Sequence, residues 1–276
     1  DITSTGGNTI YLPTENCGLF KSTDLGVSWL QGSCFSFNHY NSVQFINTTT
    51  GFATGNYTLV KTTDGGNNWQ NISSVYNGFD KVYFLNNNTG FIINHVGTLY
   101  KTTNTGINWT TINTAGITIR DFFIFDTENI LCAGILTGSC RILKTTNGGL
   151  NWAIFSGPMG TDLYDIYFAD FNTGFAAGKD QNSNSHILKT TDGGNNWTGQ
   201  SIPPAGRIVK IQCINNNTVY ALASNGYFLA SSNSGTNWNL TQFDLPNYTN
   251  MSMHFVNSST GFIDGFRGRL FKTTNS

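Results

Sequence analysis

Charge is scarce in this sequence. Asp, Glu, Lys and Arg make up 11% of its 276 residues, against roughly a quarter in an average soluble protein. A net charge of −1 and a pI near 6.4 leave no basic patch of the kind nucleic acid requires. No apolar run reaches the 18 or so residues that span a bilayer as a helix, so no membrane insertion is expected. The four histidines, His39, His95, His186 and His254, lack metal-ligand spacing, and no glycine-rich loop joins a strand to a helix. Neither a metal nor a cofactor is expected. Proline is also rare, at five residues. The N-terminus carries no signal peptide and starts at Asp1 rather than Met, which reads as a processed or trimmed chain.

What the sequence does hold is aromatics (14%, 21 of them Phe), 31 glycines, and a polar surface of Asn, Thr and Ser. That mixture suits strands and turns and excludes disorder. It is also periodic. The loop KTTDGGNNW stands at 61–69 and again, letter for letter, at 189–197. Relatives of it end on Trp29, Trp69, Trp109, Trp152, Trp197 and Trp238, at gaps of 40, 40, 43, 45 and 41 residues. A seventh begins at Lys272 and stops at Ser276. Upstream of each loop lie short β-rich runs, as in NSVQFIN, TGFATGN and TLVKTTD, and a further short run follows the Trp. Four strands per period of about 40 is the pattern of propeller blades. The expected fold is all-β: one seven-bladed propeller of four-stranded blades, at about 1–34, 35–76, 77–114, 115–157, 158–202, 203–243 and 244–276, the last lacking its outermost strand.

The loop reads as a structural lock. Its acidic position is Asp24, Asp64 and Asp192 in three copies but Asn104, Asn147, Asn233 and Asn275 in four. Asp and Asn share an acceptor oxygen and differ in charge. The loop therefore needs an acceptor that closes an Asx-type turn, not an anion. Gly66 suits a positive φ, and the Trp can bury its ring while its N–H finds a partner.

The pattern [ST]-x-[DN]-x-G-x-x-W resembles the Asp-box, or BNR, repeat, and it recurs through the whole chain. The resemblance implies a propeller. It is nearly silent on function, because relatives include sialidases, xyloglucan-cleaving glycosidases, sortilin-type receptors, photosystem II assembly factors and secreted Bacteroidota proteins. In the last group a sorting or anchoring domain commonly follows the propeller. A sialidase would need an arginine triad and an Arg-Ile-Pro motif. Here the arginines are Arg120, Arg141, Arg207, Arg267 and Arg269, and no Arg-Ile-Pro occurs. A carboxylate pair of another kind would draw on Asp80, Asp121, Asp162, Asp165, Asp180 or Asp264, read as loop residues.

Disulfides are expected for Cys17–Cys34 and Cys132–Cys140, in an oxidising compartment, with Cys213 a buried thiol. Loop length varies on the face opposite the repeat loops, where function usually resides. Candidate ligand-binding residues there are His39, Tyr40, Tyr76, Arg120, Tyr164, Lys179, Arg207 and Tyr248. No catalytic residue is assigned. The leading expectation is a secreted or cell-surface, non-enzymatic binding module whose partner is a glycan or a protein. The alternatives are a glycoside hydrolase or lyase with a carboxylate pair on that face, and an assembly or scaffold factor.

Overall fold

A computed structural model of the chain describes residues 2–5, 8–14, 18–32, 39–56, 58–72, 78–243, 251–265 and 269–274. Among these the regular structure is entirely β, in seven sheets. The first is Thr3–Ser4, Ile10–Thr14, Gly18–Ser22 and Leu30–Gln31 (β1–β4). The second is Tyr40–Phe45, Gly51–Gly55, Thr58–Thr62 and Gln70–Asn71 (β5–β8), and the third is Phe79–Phe84, Gly90–Asn94, Leu99–Thr102 and Thr110–Ile112 (β9–β12). Next come Thr118–Ile124, Ile130–Leu136, Ser139–Thr145 and Ala153–Met159 (β13–β16), then Asp162–Phe168, Gly174–Lys179, Ser185–Thr190 and Thr198–Gly199 (β17–β20). The sixth is Ile208–Cys213, Val219–Ala223, Tyr227–Ser231 and Asn239–Gln242 (β21–β24), and the seventh Ser252–Phe255, Gly261–Gly265 and Arg269–Thr273 (β25–β27).

Each sheet is an antiparallel meander whose spatial order is its chain order. The protein is a seven-bladed β-propeller of four-stranded blades, with three strands in the last. It forms two compact units, Asp1–Ile112 and Asn113–Ser276. Within each unit the first strands of successive sheets lie side by side, β5 by β9, and β13, β17, β21 and β25 in turn.

Burial explains the strand composition. Second strands such as β6, β10 and β22 are buried at every position and read as apolar runs. First strands alternate, as in β5. Most fourth strands are short and exposed, as in β4, β8 and β20, which blunts the sheet edge. The recurring Gly-Phe that opens a second strand is a packing device. Gly51, Gly90, Gly174 and Gly261 pair across the ladder with Phe45, Phe84, Phe168 and Phe255. A Cβ at any of them would lie 2.3 to 2.8 Å from the ring. The rings so placed stack between sheets, Tyr11 on Phe45 at 3.8 Å and Phe52 on Phe84 at 3.5 Å. They also meet the repeat Trp edge-on, Phe45 with Trp69 and Phe168 with Trp197.

The repeat loop is locked as its Asp/Asn interchange requires. Asp64 Oδ1 accepts from the Asn68 backbone N–H at 2.9 Å, and Asn104 Oδ1 accepts from Asn108 N–H at 2.9 Å. The carboxylates alone take a further bond on Oδ2, from Asn68 Nδ2 and Asn196 Nδ2 at 2.7 Å and from the Ser28 hydroxyl. Thr62 Oγ1 accepts from Gly66 N–H at 2.9 Å, and the same bond recurs at Ser22, Thr102, Thr145, Thr190 and Ser231. Indole N–H groups find a carbonyl in their own loop, as Trp197 does with Gly194 at 3.2 Å, but Trp152 donates to Asn113 at 2.8 Å.

Two consecutive residues, not one, are left-handed in each of the six described loops. Beside Gly66 (φ 80°) stands Gly65 (φ 72°), and the corresponding first positions elsewhere include Leu25, Thr105 and Ser234. The N–H of that first residue reaches the other hairpin of its own sheet, Gly65 to Thr49 O and Ser234 to Asn217 O, both at 2.8 Å. That other hairpin is a second repeated Asx turn. Asn47, Asn86, Asp126, Asp170, Asn215 and Asn257 each accept from the backbone N–H groups two and three residues on.

One disulfide expectation is overturned. Cys132 and Cys140 form no bond with each other. The tight β14–β15 hairpin pairs Cys132 with Leu143 and Cys140 with Ile135. The two thiols are therefore three ladder steps apart, about 10 Å, beyond disulfide reach. Cys140 Sγ accepts instead from the Thr161 hydroxyl at 3.1 Å. Cys213 is a buried thiol. Cys17, Cys34 and Asn275 lie outside the described residues.

Candidate functional site

The site is built by β-bulges. The first strand of five sheets slips its register by one residue near its start, at Asn41, Asp80, Arg120, Tyr164 and Val209. A bulge re-aims the extra side chain and sharpens the twist. The backbone is tight there: a Cβ on Gly178 would sit 1.9 Å from the Asp162 carbonyl oxygen. In all five sheets the bulged residue stands ten positions before the second strand begins. In each sheet the start of the first strand lies at the end away from the repeat loop, the end where ligand residues were expected.

After three of the bulges the next residue turns toward the following sheet. Ser42 Oγ accepts from Val82 N–H at 3.4 Å, Asp121 Oδ2 from Ile166 N–H at 3.0 Å, and Asp165 Oδ2 from Ile211 N–H at 2.7 Å. Two residues further on, Gln212 bonds both the N–H and the carbonyl of Phe255, at 2.8 and 3.0 Å. Lys210 holds Asp165 at 3.4 Å. Burial opposes its charge, but Asp165 and Asp121 outweigh it and raise the ammonium pKa. Burial likewise raises the Asp264 carboxyl. Asp121 and Asp165 thus stand on strands rather than loops and clamp neighbouring sheets. Asp80, Asp162 and Asp264 are strand residues too, and of the six carboxylates read as loop residues only Asp180 is on a connection.

Within Asn113–Ser276 the candidates converge on one rim. Arg120 Nη2 lies 3.9 Å from Asp162 Oδ2. The Arg207 guanidinium stands 5.1 Å over the Tyr164 ring, within cation–π range. Burial and the Asp162 charge raise the Tyr164 hydroxyl pKa, against Arg207. Lys179 pairs with Asp162 across β17 and β18. Two buried polar atoms of this rim, Asp162 Oδ1 and Arg207 Nε, have no hydrogen-bond partner among the described residues, a condition that costs free energy until a ligand or water meets it.

The other candidates behave differently. Tyr40 is 3% exposed and belongs to a core cluster with Tyr11, Leu19 and Val43, so it is not a surface platform. His39 is half-buried and uses its carbonyl to accept from Asn56 N–H at 3.1 Å. Tyr76 and Tyr248 lie outside the described residues. Sequence reasoning named Asp162 only as a loop carboxylate, and it missed Asn41 as a bulge residue and the contact of Asp80 with the His95 imidazole. The fixed ten-residue offset was the available signal.

Comparison with known proteins agrees with this architecture. The family model described as photosynthesis system II assembly factor YCF48 matches residues 28–161, just under half of the chain. No curated protein sequence matches. Among solved structures, one described as YCF48 bound to D1 peptide superposes with a TM-score of 0.78 at 19% identity, covering 100% of this chain and 91% of that one. YCF48 from Cyanidioschyzon merolae gives 0.77 at 18%, over 99% and 94%. An ancestral GH74 enzyme gives 0.75 at 17%, over 99% of this chain and 44% of its own. At such identities the likeness is one of fold. The chain is a β-propeller that is similar, over residues 28–161, to the BNR-type family model.

Proposed function

We propose that the chain is a non-enzymatic binding protein that takes a segment of a partner protein on the rim of Arg120, Asp162, Tyr164 and Arg207. The observation that carries this reading is the pair of buried, unspent groups there, one acceptor and one donor, Asp162 Oδ1 and Arg207 Nε. An extended peptide offers both carbonyls and N–H groups to meet such a pair. A sugar would ask for a bare aromatic face, but Tyr164 is covered by Arg207 and Tyr40 is in the core. A solved propeller of the same fold is described as bound to a D1 peptide, which supports a peptide as ligand of such a scaffold without naming this chain's partner. A secreted or surface setting is part of the proposal on composition alone, since the Cys132–Cys140 bridge that would have supported it does not form.

Peptide and glycan arrays probed in parallel with the purified chain test this. Selective peptide binding that weakens at least tenfold in Arg207→Ala and in Tyr164→Ala is expected. Glycan binding with a blank peptide array, or peptide binding indifferent to both substitutions, overturns it.

A further inference from the structure

A third unspent group stands beside the rim. The buried Oδ1 of Asn225 has no hydrogen-bond partner among the described residues, like Asp162 Oδ1 and Arg207 Nε. Asn225 lies in the turn between β22 and β23. Backbone fastens that turn to the rim, because Ser224 N–H donates to the Arg207 carbonyl at 2.9 Å. The Asn225 carboxamide lies against Gly206, where a Cβ would come within 2.8 Å of Nδ2 and where φ is 74°. Both conditions call for glycine.

The segment leading into Arg207 is tied to the fifth sheet. Ser185 Oγ accepts from Ala205 N–H at 3.1 Å and donates to the Pro203 carbonyl at 3.0 Å. Ser185 pairs with Lys179, and Lys179 with Asp162, so these three share one face of that sheet. His186 Nε2 is unspent too. It lies on the opposite face, since His186 pairs with Gly178 and Gly178 with Leu163, which packs against the fourth sheet. The rim therefore carries an acceptor on the fifth sheet (Asp162), a donor reaching over Tyr164 (Arg207) and an acceptor on the sixth (Asn225).

An extended strand presents the N–H and the C=O of every second residue on one edge. One residue can give its N–H to the first acceptor and its carbonyl to Arg207. The residue two places on can give its N–H to the other acceptor, whichever way the chain runs. We propose that the rim takes its ligand through the main chain, as an extended segment with free N–H groups at positions i and i+2 and proline at neither, Asn225 anchoring one of them. Main-chain bonds then give affinity, and alternate side chains add selection. This deepens the reading of the rim as a peptide site and rests on it.

The probe is the tightest-binding peptide of the array, capped at both ends so that no terminal charge takes part. Each backbone N–H is methylated in turn, and the dissociation constant is measured by fluorescence polarisation. Methylation at two positions, two residues apart, should each weaken binding at least tenfold, and methylation between them should not. In Asn225→Ala one of the two positions should become indifferent to methylation. Asn225→Asp, which keeps an acceptor, should restore that sensitivity, and melting temperatures report that both variants fold. Binding that needs Arg207 and Tyr164 yet survives every methylation overturns main-chain recognition and leaves the rim a peptide site. So does a methylation pattern unchanged in Asn225→Ala, or binding lost on capping the ends. A blank peptide array overturns both readings.

Discussion

Thr62 shows how much of each blade hangs on one oxygen. Its hydroxyl donates to Asp64 Oδ1 at 2.9 Å and accepts from the buried Gly66 N–H. Thr62→Val keeps the shape and leaves that N–H unsatisfied, so a loss of about 1–3 kcal/mol is expected in denaturant unfolding. Asp64→Asn keeps the Oδ1 acceptor and should melt close to the parent, while Asp64→Ala should melt lower than Asp64→Asn. Equal melting of the two would show that the acceptor does not matter. The Asp/Asn interchange made this role legible in the sequence, because an anion could not be swapped so freely. The second set of Asx turns was hidden by the abundance of Asn, which makes any one Asn look like surface. The Tyr40 side chain was misjudged because its strand begins one residue before a bulge, where inward and outward faces exchange.

At the scale of elements, strands and their order were readable from the period of about 40 and the Gly-Phe punctuation. The bulges were not. One inserted residue changes the facing of a six-residue strand without changing its composition, so alternation alone cannot reveal it. Aligning the repeats does: the positions that lock and pack recur as the same residue types, while the bulge column runs Asn, Asp, Arg, Tyr, Val. Chemical variety at a fixed place on a rigid scaffold marks the candidate site. The Gly-Phe pair supplies an independent check on packing. In Gly174→Ala the new Cβ would meet the Phe168 ring at 2.5 Å, and that ring leans on Trp197. The expected loss is about 1–3 kcal/mol, as for overpacking. An unchanged unfolding midpoint would mean that the ring has free space to move.

Across the whole molecule, most lysines stand in the repeat loops. Six of its nine lysines open a repeat loop. Of these, Lys21, Lys144 and Lys189 reach the loop of the next sheet at 2.6 to 2.8 Å. Acid should undo the fold in two stages. Burial lowers the His254 pKa from 6.5 to about 4, so the folded state binds fewer protons than the unfolded chain between those values, and stability falls as pH drops through that window. Hydrogen bonds hold Asp24, Asp64 and Asp192 at about 2 against an ordinary 3.8. Their stabilisation is complete above the ordinary value and is lost as pH falls toward 2. A melting temperature that drops from pH 6.5 to 4 in the parent and less in His254→Gln is expected. A melting temperature that rises on acidification would contradict this.

The division of labour between locking positions and the bulge column is the central claim, and one experiment separates them. The dissociation constant for the best array peptide should be measured alongside melting temperature in Arg207→Ala and Thr62→Val. Arg207→Ala should lose at least tenfold in affinity with its melting temperature within a degree or two of the parent. Thr62→Val should melt lower and bind as the parent does while folded. Affinity lost in Thr62→Val and retained in Arg207→Ala would contradict the assignment of the binding face.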